Sequence, residues 1–251
     1  MVIGNLGRPL QRISDQICHG NSTCEDFTKI VFPWIATIFI KNDTDNNQFQ
    51  YTCDGALLSE KNILTSARCM LQANKTVETE NVLVFLGKRN LQSVSDGEKL
   101  YRITAVIFHE NFTTDDNGTT TNDLALLTLE TPATLDKDIQ SACLNFSHTG
   151  ELEEAATTAW GPNGPLRPIY FEKERKEFCY DKDDKVFCAT YGLSVALCPS
   201  HGGVYVTKRS SSWCLEGIYY GDPTYRGLCF DKNVLYTSLN TYSEWLNNMV
   251  H

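Results

Sequence analysis

Apolar residues in this chain fall in short blocks separated by polar stretches rich in Gly, Pro, Asn and Asp, the spacing of β-strands rather than of helices. Residues 35–40 read as a strand, residues 41–48 as a polar loop, and residues 49–53 as the start of a second strand. Ala56-Leu57-Leu58 and Ile63-Leu64 flank the polar turn Ser59-Glu60-Lys61-Asn62, which predicts a hairpin. Residues 81–87 and 100–109 are enriched in β-branched and aromatic side chains and predict two more strands, followed by a polar loop over 113–121. The period changes only at the C-terminus. There Trp245, Leu246 and Met249 share one face of a helix over 242–250. Residues 1–31 have no period, being broken by Gly4, Gly7, Pro9 and Gly20. Residues 162–177 lack an apolar pattern, and the charge run 172–177 reads as a solvated face.

A length of 251 residues with 41% hydrophobic content suffices for a sizeable core. The net charge of −9 argues against nucleic acid or an anionic membrane as the main partner. No apolar run reaches the length that spans a bilayer. Ten cysteines without a C-x-x-C pair suit disulfides in an oxidising compartment better than zinc, so no metal and no cofactor are expected. N-x-S/T sequons at Asn21, Asn42, Asn74, Asn111, Asn117 and Asn145 agree with a secreted glycoprotein. No apolar run of signal-peptide type follows Met1, which predicts a trimmed start.

Cys53 to Cys69 reads CDGALLSEKNILTSARC and resembles the trypsin-like serine protease segment C-G-G-x-L-I…V-L-T-A-A-H-C. Further landmarks follow in order. They are Phe32-Pro33-Trp34, Asn122-Asp123-Leu124-Ala125-Leu126-Leu127, Ser141-Ala142-Cys143-Leu144, Ala159-Trp160-Gly161, Trp213-Cys214-Leu215-Glu216-Gly217-Ile218, Leu235-Tyr236-Thr237-Ser238-Leu239 and the closing Tyr242…Trp245-Leu246. The resemblance covers residues 32–250. It implies an all-β fold of two antiparallel six-stranded barrels with a C-terminal helix. The first barrel is expected over about 35–140, the second over about 155–240 and the helix over about 241–250, with 1–31 as a light-chain-like tether below a missing upstream module. It also implies disulfides Cys53–Cys69, Cys179–Cys188 and Cys198–Cys229. Cys143 would pair with Cys18 or Cys24, and Cys214 with the other.

The catalytic positions depart from the family's pattern. The general-base histidine precedes the second Cys of the segment, and here that residue is Arg68. A guanidinium stays protonated at any working pH and cannot accept a serine proton. The orienting aspartate is retained as Asp123, which is open to an ion pair with Arg68. The nucleophile segment C-x-G-D-S-G-G-P is matched by Cys198-Pro199-Ser200-His201-Gly202-Gly203-Val204, one residue short. Aligned on the glycines, His201 stands at the nucleophile and Ser200 at the aspartate; aligned on the Cys, the nucleophile is deleted. Pro199 at an oxyanion glycine would remove an N–H donor. The basic-I-V-G-G activation sequence is also missing; only Lys29-Ile30-Val31 precedes Phe32. His19, His109, His148 and His251 read as isolated, solvated residues, and Ala196 and Leu197 as core filling where a specificity pocket would have its base.

These residues predict a pseudo-protease: a secreted serine protease homologue that binds extracellular proteins as cofactor, regulator or decoy in a proteolytic or immune cascade. Two alternatives remain open, a salivary or extracellular effector that binds host proteins or matrix, and an active hydrolase with a rearranged site. Oligomeric state, partner and source are not legible in the chain.

Overall fold

The computed structural model describes residues 32–41, 48–115, 119–144, 146, 151–171, 185–192, 197–209, 212–220 and 233–250. Cys18, Cys24, Cys179, Cys229, His19, His148, His251, Ala196, the tether 1–31, the charge run 172–177 and the sequons at Asn21, Asn42, Asn117 and Asn145 lie outside them.

Strands β1 (Ile35–Lys41), β2 (Phe49–Leu57), β3 (Asn62–Thr65), β6 (Val82–Leu86), β7 (Lys99–Phe108) and β10 (Ala125–Leu129) close a six-stranded antiparallel barrel in the order β1-β2-β3-β10-β7-β6. Two small ribbons decorate it, β4 (Leu71–Gln72) with β5 (Lys75–Thr76), and β8 (Thr113–Thr114) with β9 (Thr120–Thr121). Beyond it, β11 (Leu152–Trp160), β12 (Leu166–Tyr170), β13 (Val186–Thr190), β14 (Val204–Arg209), β15 (Ser212–Tyr219) and β16 (Asn233–Ser238) form an antiparallel sheet in the order β12-β11-β14-β15-β16-β13. Its two edges meet at an isolated antiparallel bridge between Phe171 and Tyr191, so this sheet curls toward a second barrel. A short 3-10 turn leads into α1 (Ser243–Val250), the one α-helix among the described residues, which buries Leu246 against the first barrel's core. The all-β architecture is thus the one the sequence implies. Among the described residues no helix is long and apolar enough to cross a membrane.

Burial follows from which faces are covered. The first half of β7 alternates, with Tyr101 and Ile103 inside and Leu100, Arg102 and Thr104 outside, as a barrel wall facing water should. The second half of β2, Cys53 to Leu57, is buried at every position, because one face lines the barrel and the other meets the second sheet. The second core is aromatic: Phe171, Phe187, Tyr205, Tyr219 and Tyr236 pack ring against ring at centroid distances of 4.9–5.8 Å. Burial pushes the Tyr205 phenol up to about 12, so it stays neutral.

Three sequence expectations are corrected. The loop expected over 113–121 contains the β8–β9 ribbon, because Thr113 and Thr121 share a 2.7 Å hydroxyl contact and the Asp115 carboxylate accepts the Thr119 amide at 2.7 Å. The patternless stretch 162–177 contains β12, an edge strand paired only to β11 and carrying Pro168, which edges tolerate. Cys143 pairs with Cys214, not with an N-terminal cysteine. The segment crossing between barrels lies parallel to β15, with the Leu215 amide donating to the Cys143 carbonyl at 2.8 Å and Leu144 bridged to Leu215. That register brings the two cysteine Cα atoms to 4.5 Å, within disulfide reach. Cys53–Cys69 forms as expected, and Cys188 and Cys198 are both half-cystines.

Candidate functional site

Two chain segments and one carboxylate build the site. Ser66 leads into a 3-10 turn, Ala67–Met70, which the Cys53–Cys69 disulfide ties to β2. Asn122 turns the chain in the left-handed region at φ +51° just before β10, and so delivers Asp123 to the turn. Asp123 is 1% exposed. One of its oxygens accepts the Arg68 backbone amide at 2.8 Å and the other accepts the Ser66 hydroxyl at 2.8 Å. Burial raises the Asp123 carboxyl above the usual range, and those two donors and the nearby guanidinium hold it back.

The Arg68 guanidinium does not take up the side-chain pair with Asp123 that the sequence left open, nor does it turn into solvent. It donates to the Thr120 hydroxyl at 2.7 Å and lies 5.5 Å from the centre of the Tyr220 ring, a cation–π arrangement. Tyr220 is itself anchored, its hydroxyl donating to the Thr120 carbonyl at 2.7 Å. The arginine is half-buried, and its Nε–H is enclosed without an acceptor among the described residues. Asp123→Leu is expected to cost about 2 kcal/mol in urea unfolding, because two enclosed donors lose their acceptor, whereas Asp123→Asn keeps much of the pairing and costs less.

The segment 198–203 closes over this turn. The Ser200 amide donates to the Thr158 carbonyl at 2.9 Å, the Gly203 amide to the Ser200 carbonyl at 2.9 Å, and the Asp54 amide to the His201 carbonyl at 2.7 Å. Gly202, at φ +64°, presses on β2 and the disulfide: a Cβ there would stand 2.5 Å from the Asp54 carbonyl oxygen and 3.0 Å from Cys69 Sγ. The structure therefore brings Arg68, Asp123 and His201 into one neighbourhood, at the seam between the barrels. Pro199 has no N–H to offer an oxyanion, and the neighbouring Ser200 and Gly203 amides are engaged with the Thr158 and Ser200 carbonyls. The His201 imidazole rests on the Tyr219 ring at 5.6 Å, while the Ser200 hydroxyl is buried on the side of Asp54.

Two further positions depart from expectation or were missed. His109, read as solvated, is 9% exposed and wedged at 5.1 Å from both Tyr242 and Trp245, and burial lowers its basicity. Leu197 does pack against the second core, as expected. Asp54 was overlooked, although a carboxylate inside the apolar run Cys53–Leu58 was a signal in plain view.

Residues 23–211 match the family described as Trypsin. This chain belongs to the trypsin family. It is 26% identical to clotting factor C of Tachypleus tridentatus over 249 residues, covering 87% of this chain and 24% of that protein. It is 26% identical to chymotrypsin-C of Rattus norvegicus over 252 residues, covering 90% of this chain and 87% of that protein. It is 25% identical to inactive serine protease 54 of Homo sapiens over 242 residues, covering 86% of this chain and 54% of that protein. This trypsin-family chain therefore spans about a quarter of the clotting factors it matches, and much of chymotrypsin-C.

Proposed function

We propose that this trypsin-family chain is a secreted, N-glycosylated pseudo-protease that acts by binding other extracellular proteins in a proteolytic cascade. The observation that carries the reading is Arg68 at the base position, its guanidinium fixed on Thr120 and Tyr220. A permanently charged group cannot take the proton of an attacking hydroxyl. In the register set by the glycines His201 stands at the nucleophile position, in the register set by Cys198 that position is deleted, and neither places a serine there. Loss of base or nucleophile alone costs on the order of a millionfold in kcat in a serine protease. Pro199 supports the same reading, since losing one oxyanion donor costs about 100- to 1000-fold. The relatives fit it as well: one is named an inactive serine protease and another a clotting factor. Asn74 and Asn111 are exposed, as sugar-bearing positions must be.

Incubation with a fluorophosphonate probe tests the loss of chemistry. The expected result is no labelling and no turnover of peptide substrates above background. A phosphonylated Ser200 would overturn the reading. The partner is then sought by pull-down from plasma or haemolymph with the purified glycoprotein.

A further inference from the structure

Asp54 is completely buried, at 0% exposure, where the first barrel meets the second sheet. Its backbone is clamped at both ends, the amide donating to the His201 carbonyl at 2.7 Å and the carbonyl accepting the Thr65 hydroxyl at 2.8 Å. Its carboxyl reaches across the seam. The Trp160 indole N–H at the end of β11 faces both carboxyl oxygens, at 3.0 and 3.3 Å. Ser200 Oγ, buried and without a completed hydrogen bond among the described residues, stands beside the same carboxyl, and Ser200 is tied through its amide to Thr158, two residues from Trp160. Tyr51, whose ring meets Trp160 edge-on at 5.9 Å, completes the enclosure. One carboxyl thus touches β2, β11 and the 198–203 segment together.

Among the described residues no cation compensates it. Among the described residues, the groups that face it are the Tyr51 phenol on β2, the Trp160 indole on β11 and the Ser200 hydroxyl of the 198–203 segment, and no lysine, arginine or second carboxylate contributes; the Thr65 hydroxyl on β3 is bound to the Asp54 backbone carbonyl instead. The nearest other titratable group on that segment is His201, whose ring leans on Tyr219. A buried carboxylate without a cation is costly, and a protonated carboxyl is not. Burial accordingly raises this carboxyl to about 7, against the hydrogen bonds that favour its ionised form.

We propose that Asp54 is a proton-operated latch between the barrels: protonated, it holds the 198–203 segment closed on the seam, and ionised, it loosens that segment and the face it forms. The device needs no proteolytic activation and no catalytic group, and it stands whether or not the protein is a pseudo-protease.

The sign follows from linkage. The folded carboxyl titrates near 7 and the unfolded one near 3.8, so the stabilisation is fully present below about 3.8 and is lost as pH rises to about 7. Above that, both states are ionised and the contribution is flat. The test is amide hydrogen exchange of residues 200–203, with urea unfolding alongside, from pH 5 to 8.5 in wild type, Asp54→Asn and His201→Gln. After correction for intrinsic exchange, the wild-type opening constant is expected to rise about tenfold per pH unit between pH 5 and 7 and then level off. Asp54→Asn loses that rise, and His201→Gln keeps it. Equal profiles for wild type and Asp54→Asn, or loss of the rise in His201→Gln, would overturn the proposal. If Asp54→Asn does not fold, the carboxyl carbon shift of Asp54 in the wild type decides: titration below pH 5, or titration near 7 with no accompanying shift in the seam amides, refutes the latch.

Discussion

Gly202→Ala is expected to be among the most destabilising single substitutions in this domain, on the order of 4 kcal/mol or more. Two costs add. The left-handed backbone at φ +64° costs a residue with a Cβ about 1–2 kcal/mol. The Cβ itself would stand 2.5 Å from both the Asp54 carbonyl oxygen and Thr65 Oγ1, and 3.0 Å from Cys69 Sγ. None of these can yield cheaply: two belong to the β2–β3 wall, and the third to the Cys53–Cys69 disulfide. Gly97→Ala supplies the comparison. Its φ of +80° is as unfavourable, yet the nearest atom to a Cβ is Asp138 Oδ2 at 3.5 Å, an ordinary contact. It should lose only the backbone part, about 1 kcal/mol. Urea midpoints of the two variants separate strain from overlap, and similar losses in both would show that the 198–203 segment is not pressed onto β2 as described.

The fold was legible because barrels advertise themselves locally. The hairpin β2–β3, the alternation in β7 and the Trp245-Leu246 face of α1 each reflect a one-sided burial that a short window of sequence records. What escaped were features set by distant chain. Strand β12 has no period of its own, because it is an edge held by β11 and by Asn90, which bridges to Pro165. His109 looked solvated because Tyr242 and Trp245, which enclose it, lie more than a hundred residues away in the chain. The candidate site could be located at Arg68, Asp123 and His201, since each is a residue type at a landmark. The fate of the Arg68 guanidinium could not, because its partners Thr120 and Tyr220 carry no motif. Asp54 belongs to both classes. Its oddity is local, a carboxylate in an apolar strand, but its meaning comes from Trp160 on the second sheet and Ser200 in the 198–203 segment.

Removing Cys143 and Cys214 together, each to alanine, is expected to destabilise the domain by about 4 kcal/mol, more than the approximately 3 kcal/mol for Cys53 and Cys69. In the chain-entropy view a disulfide acts by restricting the unfolded chain, and the restriction grows with the loop it closes. Cys53–Cys69 closes a separation of 16 residues within one hairpin and turn. Cys143–Cys214 closes a separation of 71, which takes in β11 to β14, most of the second sheet. It also fixes the crossing segment against β15, so its loss should loosen the joint between the two halves. Non-reduced peptide mapping checks the premise first: one fragment should carry both Cys143 and Cys214. A fragment joining Cys143 to Cys18 or Cys24 would reinstate the N-terminal tether that the sequence suggested. Urea unfolding then checks the magnitude. If the double variant loses less than the Cys53→Ala, Cys69→Ala pair, the second half folds without help from the crossing segment, and the register between Cys143 and Leu215 adds little to the domain.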